Sequence, residues 1–150
     1  MLKIINFKDY EKDLDIAINY YYKKWGNNNF HFFNDAIRNS SNGNEGLPRF
    51  YLLLENDEII GCGSLVTNDF ISRHDLMPWL AGLFIEEEKR GKELGNYIMN
   101  FLEKEAMKIG FSCIYLTTNH NGYYEKYGWT RINDGFELSG EPTRIYKKIL

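Results

Sequence analysis

The chain has 150 residues, the size of one ordinary domain, so we predict a single domain over residues 1–150. Its hydrophobic fraction of 43% and charged fraction of 26% are typical of a globular protein. The formal net charge of -3 gives no indication of a nucleic-acid partner. No apolar run approaches the roughly 20 residues of a membrane-spanning helix, and the N-terminus is too interrupted for a secretory signal. We therefore expect a cytoplasmic protein with no membrane partner.

The two cysteines, Cys62 and Cys113, each lie in an apolar run. We expect both to be buried, reduced core residues rather than nucleophiles. The three scattered histidines and two separated cysteines do not have the spacing of metal ligands, so no metal site is expected.

The N-terminal part of the chain predicts one strand followed by two helices. Residues 2–7 alternate weakly, which indicates a strand, and apolar residues then recur at helical spacing over residues 10–25. Asp9 is the predicted N-cap of this helix and Gly26 its predicted stop. A shorter second helix is expected over residues 30–39.

The middle of the chain predicts three strands. After a loop at residues 40–46, two apolar runs at 50–54 and 58–66 flank Asn56 and Asp57, which indicates an antiparallel hairpin. A short apolar run at residues 78–85 indicates a buried strand.

The C-terminal part of the chain combines two helices with three more strands. The elements are a helix over 91–109, a strand over 112–117, a short helix over 122–127, and strands over 129–133 and 144–149, separated by a turn-rich segment. Gly110 and Gly128 are expected to end the two helices. This order predicts one mixed α/β sheet with helices on its faces.

The segment at residues 83–96 carries the clearest chemical signal. A buried strand leads into a basic, glycine-containing turn that opens the long helix. Unpaired N–H groups at a helix N-terminus carry partial positive charge, and Lys89, Arg90 and Lys92 add full charges, so the turn is suited to a pyrophosphate. The alternative is a solvated basic helix start, balanced by the glutamates at 86–88. Neither an NTPase loop nor a dinucleotide fingerprint is present.

This turn resembles the Q/R-x-x-G-x-G/A signature of the GNAT superfamily of acyl-CoA N-acyltransferases. Arg90, Gly91 and Gly95 match its common form, but Glu93 replaces the central glycine. Residues 123–129 are similar to a second family segment, F/L-Y-x-K-x-G-F/W. The departure at Glu93 places a carboxylate beside the expected pyrophosphate. Either this side chain points away along the helix, or cofactor affinity is reduced.

The resemblance implies a mixed, mostly antiparallel α/β (α+β) sheet of six to seven strands, flanked by helices and splayed between the fourth and fifth strands. It also implies acetyl-CoA as co-substrate, no metal, and direct transfer of the acetyl group to a primary amine. The pantetheine arm should lie in the splayed gap. The implied cofactor-binding residues are Leu83, Phe84, Ile85, Arg90, Gly91, Lys92, Glu93, Leu94, Gly95 and Asn96.

The catalytic residues also follow from the resemblance. It places the Tyr124 hydroxyl near the cofactor sulfur, where a phenol of pKa ~10 can protonate the departing thiolate; the alternative is a packing role. The fourth strand lacks the carboxylate that many family members place there. The candidates for the general base are Asp75 and His120, each of which has a structural or substrate-contact alternative. Backbone N–H groups of Leu83 or Phe84 are expected to meet the oxyanion.

The acceptor pocket is expected between the first two helices and the loops that follow the third and fifth strands. Aromatic residues there, with Asp69 and Asp75, favour a small amine with an apolar body. Two alternatives remain open: a protein N-terminus or lysine as acceptor, and a non-catalytic acyl-CoA-binding module. Glu93 and the missing strand carboxylate favour the last, whereas Tyr124 argues against it. The chain is expected to be a monomer or a homodimer.

Overall fold

A computed structural model describes residues 1–26, 28–42 and 46–150, so part of the predicted loop at 40–46 lies outside the described residues. Within these ranges, seven strands and three α-helices are present. The strands are β1 (Leu2–Asn6), β2 (Arg49–Glu55), β3 (Glu58–Val66), β4 (Trp79–Ile85), β5 (Cys113–Thr118), β6 (Thr130–Phe136) and β7 (Pro142–Ile149). The helices are α1 (Leu14–Trp25), α2 (Phe30–Arg38) and α3 (Leu94–Ile109).

The strands form one sheet in the order β1-β2-β3-β4-β5-β7-β6. Every neighbouring pair is antiparallel except β4–β5, which is parallel. The β4–β5 register holds a single residue pair, Trp79 with Tyr115, supported by a 3.0 Å bond from the Tyr115 amide to the Pro78 carbonyl. Past this point β4 and β5 separate. The predicted mixed sheet, splayed between its fourth and fifth strands, is therefore confirmed.

The apolar run of β2 contributes side chains to the cores on both faces of the sheet, because successive side chains of a strand point to opposite faces. Leu53 packs with the α3 residues Ile98 and Leu102. Leu52, its neighbour, packs with α1 on the other face. Each fully buried side chain of this size contributes roughly 1.5–3 kcal/mol, so both faces of the sheet are firmly covered. No helix in the described residues is long and apolar enough to cross a membrane.

The first helix begins later than predicted. Asp9 lies in a 3₁₀ turn, and Asp13 caps α1 instead, its carboxylate accepting a 2.9 Å bond from the Asp15 amide. The Gly26 amide donates to the Tyr22 carbonyl at 2.7 Å and ends α1 as predicted.

The long helix also begins later than residue 91. Gly91 and Glu93 have positive φ angles of 82° and 61°, which no helix residue adopts, so α3 starts at Leu94. Gly110, with a φ of 116°, ends it as predicted.

The C-terminal strands are longer than predicted. Asp134 and Gly135, which were interpreted as part of a turn, pair with Arg144 and Thr143 inside the β6–β7 ladder. Gly135 fits there because a Cβ would meet Ile71 at 3.2 Å. Sequence composition indicated a turn, but tertiary packing makes this glycine a strand residue.

Candidate active site

Two adjoining cavities lie where β4 and β5 separate, each with a volume of about 750 Å³. Four residues line both cavities: Trp25, Leu83, His120 and Tyr124. The cavities are therefore the two ends of one cleft. We call the end that contains Asp69 the acidic cavity, and the end bordered by the turn at residues 90–95 the turn cavity.

The turn cavity is built on the start of α3. The Tyr97 amide is the first to bond within the helix, donating to the Glu93 carbonyl at 3.0 Å. The amides of residues 94–96 precede it and have no intrahelical partner, as at any helix start. Arg90 and Lys126 supply the positive charge of the lining. This end of the cleft is suited to an anion.

Most of the predicted cofactor-binding residues line the turn cavity, but Lys92 and Asn96 do not. The lining includes Leu83, Phe84, Ile85, Arg90, Gly91, Glu93, Leu94 and Gly95. Arg90 is held at the end of β4, its Nε donating to the Ile85 carbonyl at 2.9 Å and its guanidinium lying 5.3 Å from the Phe84 ring. Lys89, counted from sequence among the basic groups of the turn, instead bonds Glu55 at 2.6 Å.

Glu93 does not point away along the helix. Its carboxylate accepts a 2.9 Å hydrogen bond from the Tyr127 hydroxyl, and both residues line the turn cavity. This bond raises the pKa of Tyr127 to about 12. Sequence reasoning did not find the contact, because 34 positions separate its two residues.

Glu93→Gly is expected to tighten acetyl-CoA binding about 3- to 10-fold. A carboxylate near a phosphate repels it by roughly 1 kcal/mol in solvent, which corresponds to about a fivefold change in affinity. Glycine also tolerates the positive φ of 61°, so the free energy of unfolding should rise by about 1 kcal/mol. Calorimetric titration and urea unfolding measure the two effects.

Glu93→Gln separates the effect of the charge on binding from the effect of the backbone on stability, since it removes the charge and keeps the strained φ. It should tighten binding without stabilising the fold. Unchanged affinity in both variants would show that the carboxylate does not act on the cofactor.

Tyr124 opens a 3₁₀ turn, Tyr124–Tyr127, that Gly128 closes with a φ of 90°. Its ring packs against Trp129 and Tyr146, at centroid distances of 6.4 and 5.9 Å. Burial raises the pKa of Tyr124. The phenol is therefore protonated at neutral pH and can donate a proton at the junction of the two cavities.

A β-bulge in β4 shapes the same junction. The register with β3 shifts between Cys62 and Ser64, and Gly82 takes a φ of 61°. A Cβ on Gly82 would collide with the Tyr21 hydroxyl and lie 2.8 Å from two atoms of its ring. The bulge thus brings the α1 ring of Tyr21 against the backbone just before Leu83.

The two candidate bases are placed differently. His120 lines both cavities, and its amide bonds the Thr118 hydroxyl at 3.0 Å. Asp75 is exposed and lines neither cavity; Arg73 donates to its two carboxylate oxygens at 2.9 and 2.8 Å. The hydrogen bond from Arg73 lowers the pKa of Asp75. The structure therefore brings His120, but not Asp75, to Tyr124.

The cysteines fit a non-nucleophilic role. Cys62 is fully buried, and burial raises the pKa of its thiol to about 12. Cys113 is partly rather than fully buried, which corrects the prediction for that residue; it lines neither cavity.

A model of the acetyltransferase (GNAT) family matches residues 10–129. The chain belongs to this family. The superfamily inferred from the two spaced motifs is therefore confirmed. In this GNAT protein the motif residues Arg90, Gly95 and Tyr124 line one cleft.

Several solved structures of similar fold align with nearly the whole chain. A GNAT family acetyltransferase from Elizabethkingia anophelis with acetyl-CoA bound has a TM-score of 0.68 and 13% identity, covering 99% of this chain and 98% of its own. An aminoglycoside 6′-N-acetyltransferase complexed with coenzyme A has a TM-score of 0.70 and 16% identity, and the alignment covers 98% of this chain and 96% of that protein. A GNAT family acetyltransferase from Streptococcus pneumoniae has a TM-score of 0.69 and 12% identity, with full coverage of both chains. Comparison with curated protein sequences finds no match.

Proposed function

We propose that this GNAT family member transfers the acetyl group of acetyl-CoA directly to a primary amine of a small molecule. The observation that carries the proposal is the single cleft between β4 and β5. One end of the cleft presents cations and free helix N–H groups, the other presents carboxylates, and Tyr124 lies between them.

The turn cavity fits the cofactor. The free amides at 94–96, with Arg90 and Lys126, would hold the pyrophosphate. The β4 backbone at 83–85 lies beyond the β4–β5 pairing, where it can bond the pantetheine amides as a neighbouring strand would. The similar structures that contain acetyl-CoA or coenzyme A support this placement.

The reaction follows from the order of groups along the cleft. The amine enters from the acidic cavity and attacks the thioester carbon beside Tyr124. The C–N bond forms, the C–S bond breaks, and the Tyr124 hydroxyl gives its proton to the departing thiolate. Backbone N–H groups of β4 at Leu83 or Phe84 would stabilise the oxyanion.

A small acceptor suits the shape of the acidic cavity. Rings of Trp25, Phe33 and Phe70 line it together with the carboxylates of Asp69 and Glu137. A cavity of about 750 Å³ falls within the range of small-molecule sites. The aminoglycoside acetyltransferase among the similar structures also supports a small cationic acceptor.

Acetyl-CoA is expected to stabilise the fold. At 100 times its Kd it should add about 2.7 kcal/mol to the free energy of unfolding, because it binds the folded chain alone. Thermal melts with acetyl-CoA, coenzyme A and dephospho-CoA measure this stabilisation. If none of the three shifts the melting temperature, the cofactor assignment is wrong.

A further inference from the structure

The segment between β3 and β4 is joined to the end of β6. Ile71 forms an antiparallel bridge with Glu137. The Ser72 amide donates to the Phe136 carbonyl at 2.9 Å, and the Phe136 amide donates to the Ser72 hydroxyl at 3.0 Å. These bonds bring Asp69, two residues before Ile71, into the same cavity as Glu137.

Asp69 presents an unpaired carboxylate to this cavity. Its neighbour Asn68 uses its own side chain to hold the loop, bonding the Ile71 amide at 3.0 Å and the Ile71 carbonyl at 2.9 Å. Within the described ranges, no hydrogen-bond donor or cation binds the Asp69 carboxylate. Asp69 is partly buried, and an unpaired carboxylate in such a place is costly unless a ligand satisfies it.

Burial, and secondarily the charge of Glu137, raise the pKa of Asp69 to about 7. Three other titratable groups line the same cavity: Tyr21 from α1, His120 after β5, and Tyr124. A carboxylate with a pKa near neutrality is a far better proton acceptor than one with the ordinary value.

The charges of the acidic cavity select among amines. Asp69 and Glu137 are the two acidic residues of its lining, and the described lining contains no Lys or Arg. An ammonium group is attracted here. A carboxylate on the same molecule would face two like charges with no cation to pair it, which discriminates strongly against such a molecule.

Resting on the proposed function, we propose that Asp69 binds the acceptor's ammonium group and takes its proton, and that the acceptor is an apolar primary amine without a carboxylate.

Protons balance in this scheme. The ammonium group loses two protons as it becomes an amide. The first passes to Asp69 and then to solvent, which leaves a neutral nucleophile. The second leaves the nitrogen after the C–N bond has formed, and restores the proton that Tyr124 gives to the thiolate.

The test compares amines that differ only in a carboxylate. Thiol release from acetyl-CoA is measured with 2-phenylethylamine and L-phenylalanine, tryptamine and L-tryptophan, and an aminoglycoside, kanamycin. The wild type should prefer each decarboxylated amine to its parent amino acid by about 100-fold or more in kcat/KM.

Asp69→Asn should lower kcat/KM for the preferred amine by about 10²- to 10⁴-fold, the size of a general-base contribution. The active form of Asp69 is the carboxylate, so wild-type kcat/KM should rise with pH through about 7. This rise should be absent in Asp69→Asn. The matched control is Asp57→Asn in the exposed β2–β3 turn, where asparagine also tolerates the φ of 69°. It should behave as wild type.

The other outcomes overturn the inference. The inference is wrong, while the acetyltransferase proposal stands, if amino acids react as well as their decarboxylated partners or if only kanamycin reacts. It is also wrong if Asp69→Asn keeps the wild-type kcat/KM and its rise with pH near 7. If no amine in the set releases thiol although acetyl-CoA binds, the proposed function fails together with it.

Discussion

Tyr124→Phe is expected to lower kcat for acetyl transfer by about 10²- to 10⁴-fold, because it removes the hydroxyl that we propose as the proton donor for the thiolate. The ring contacts with Trp129 and Tyr146 remain, so the fold should be nearly unchanged. The KM values should change little, since the lost interaction acts mainly in the transition state. Steady-state kinetics with an active amine, together with calorimetric binding of acetyl-CoA, measure these quantities.

Tyr10→Phe is the matched control. It makes the same chemical change at a residue that lines neither cavity, and it should keep wild-type kcat. If Tyr124→Phe stays within a few-fold of wild type, Tyr124 is a packing residue. If acetyl-CoA binding collapses together with kcat, the hydroxyl anchors the cofactor and the acid lies elsewhere.

Gly82→Ala is expected to lower the free energy of unfolding by about 2–5 kcal/mol. The positive φ costs a side-chain-bearing residue roughly 1–2 kcal/mol, and the collision with the Tyr21 ring adds the 1–3 kcal/mol typical of overpacking. Because the bulge sets the direction of the backbone at Leu83, activity should fall more than the fraction of folded protein does. Urea unfolding and kinetics at a temperature where the variant is folded measure both.

Gly140→Ala separates the cost of the positive φ from the cost of the collision with Tyr21. Gly140 has a φ of 91°, but a Cβ there meets no atom within 4 Å, so this variant should lose only about 1–2 kcal/mol. Equal losses in the two variants would show that the contact between Tyr21 and the bulge does not matter.

Local pattern was sufficient for much of the fold. Asn56 and Asp57 lie between two apolar runs and form the tight turn of the β2–β3 hairpin, both at positive φ. By contrast, the exposed residues of β6 have no apolar alternation, and its pairing with β7 depends on contacts such as Gly135 with Ile71. Those contacts join segments that are distant in sequence.

In the candidate site, too, local sequence predicts some features, while others depend on contacts between distant segments. The turn at Arg90–Gly95 could be predicted because its glycines, charges and helix start are contiguous. The different positions of Asp69 and Asp75 could not be predicted, since both residues lie in one polar segment. The bridge between Ile71 and Glu137 holds the segment that carries Asp69 beside the cleft, while Asp75 bonds Arg73 and lines neither cavity.

The most direct test of the proposed acetyltransferase activity follows the acetyl group itself. The protein is incubated with acetyl-CoA and the amine set, free thiol is quantified, and the N-acetylated amine is measured by mass spectrometry. If the protein is an N-acetyltransferase, one N-acetylated amine should form for each thiol released, with no release above background without amine. Thiol release with no N-acetylated product would contradict it, as would bound acetyl-CoA that no amine ever discharges.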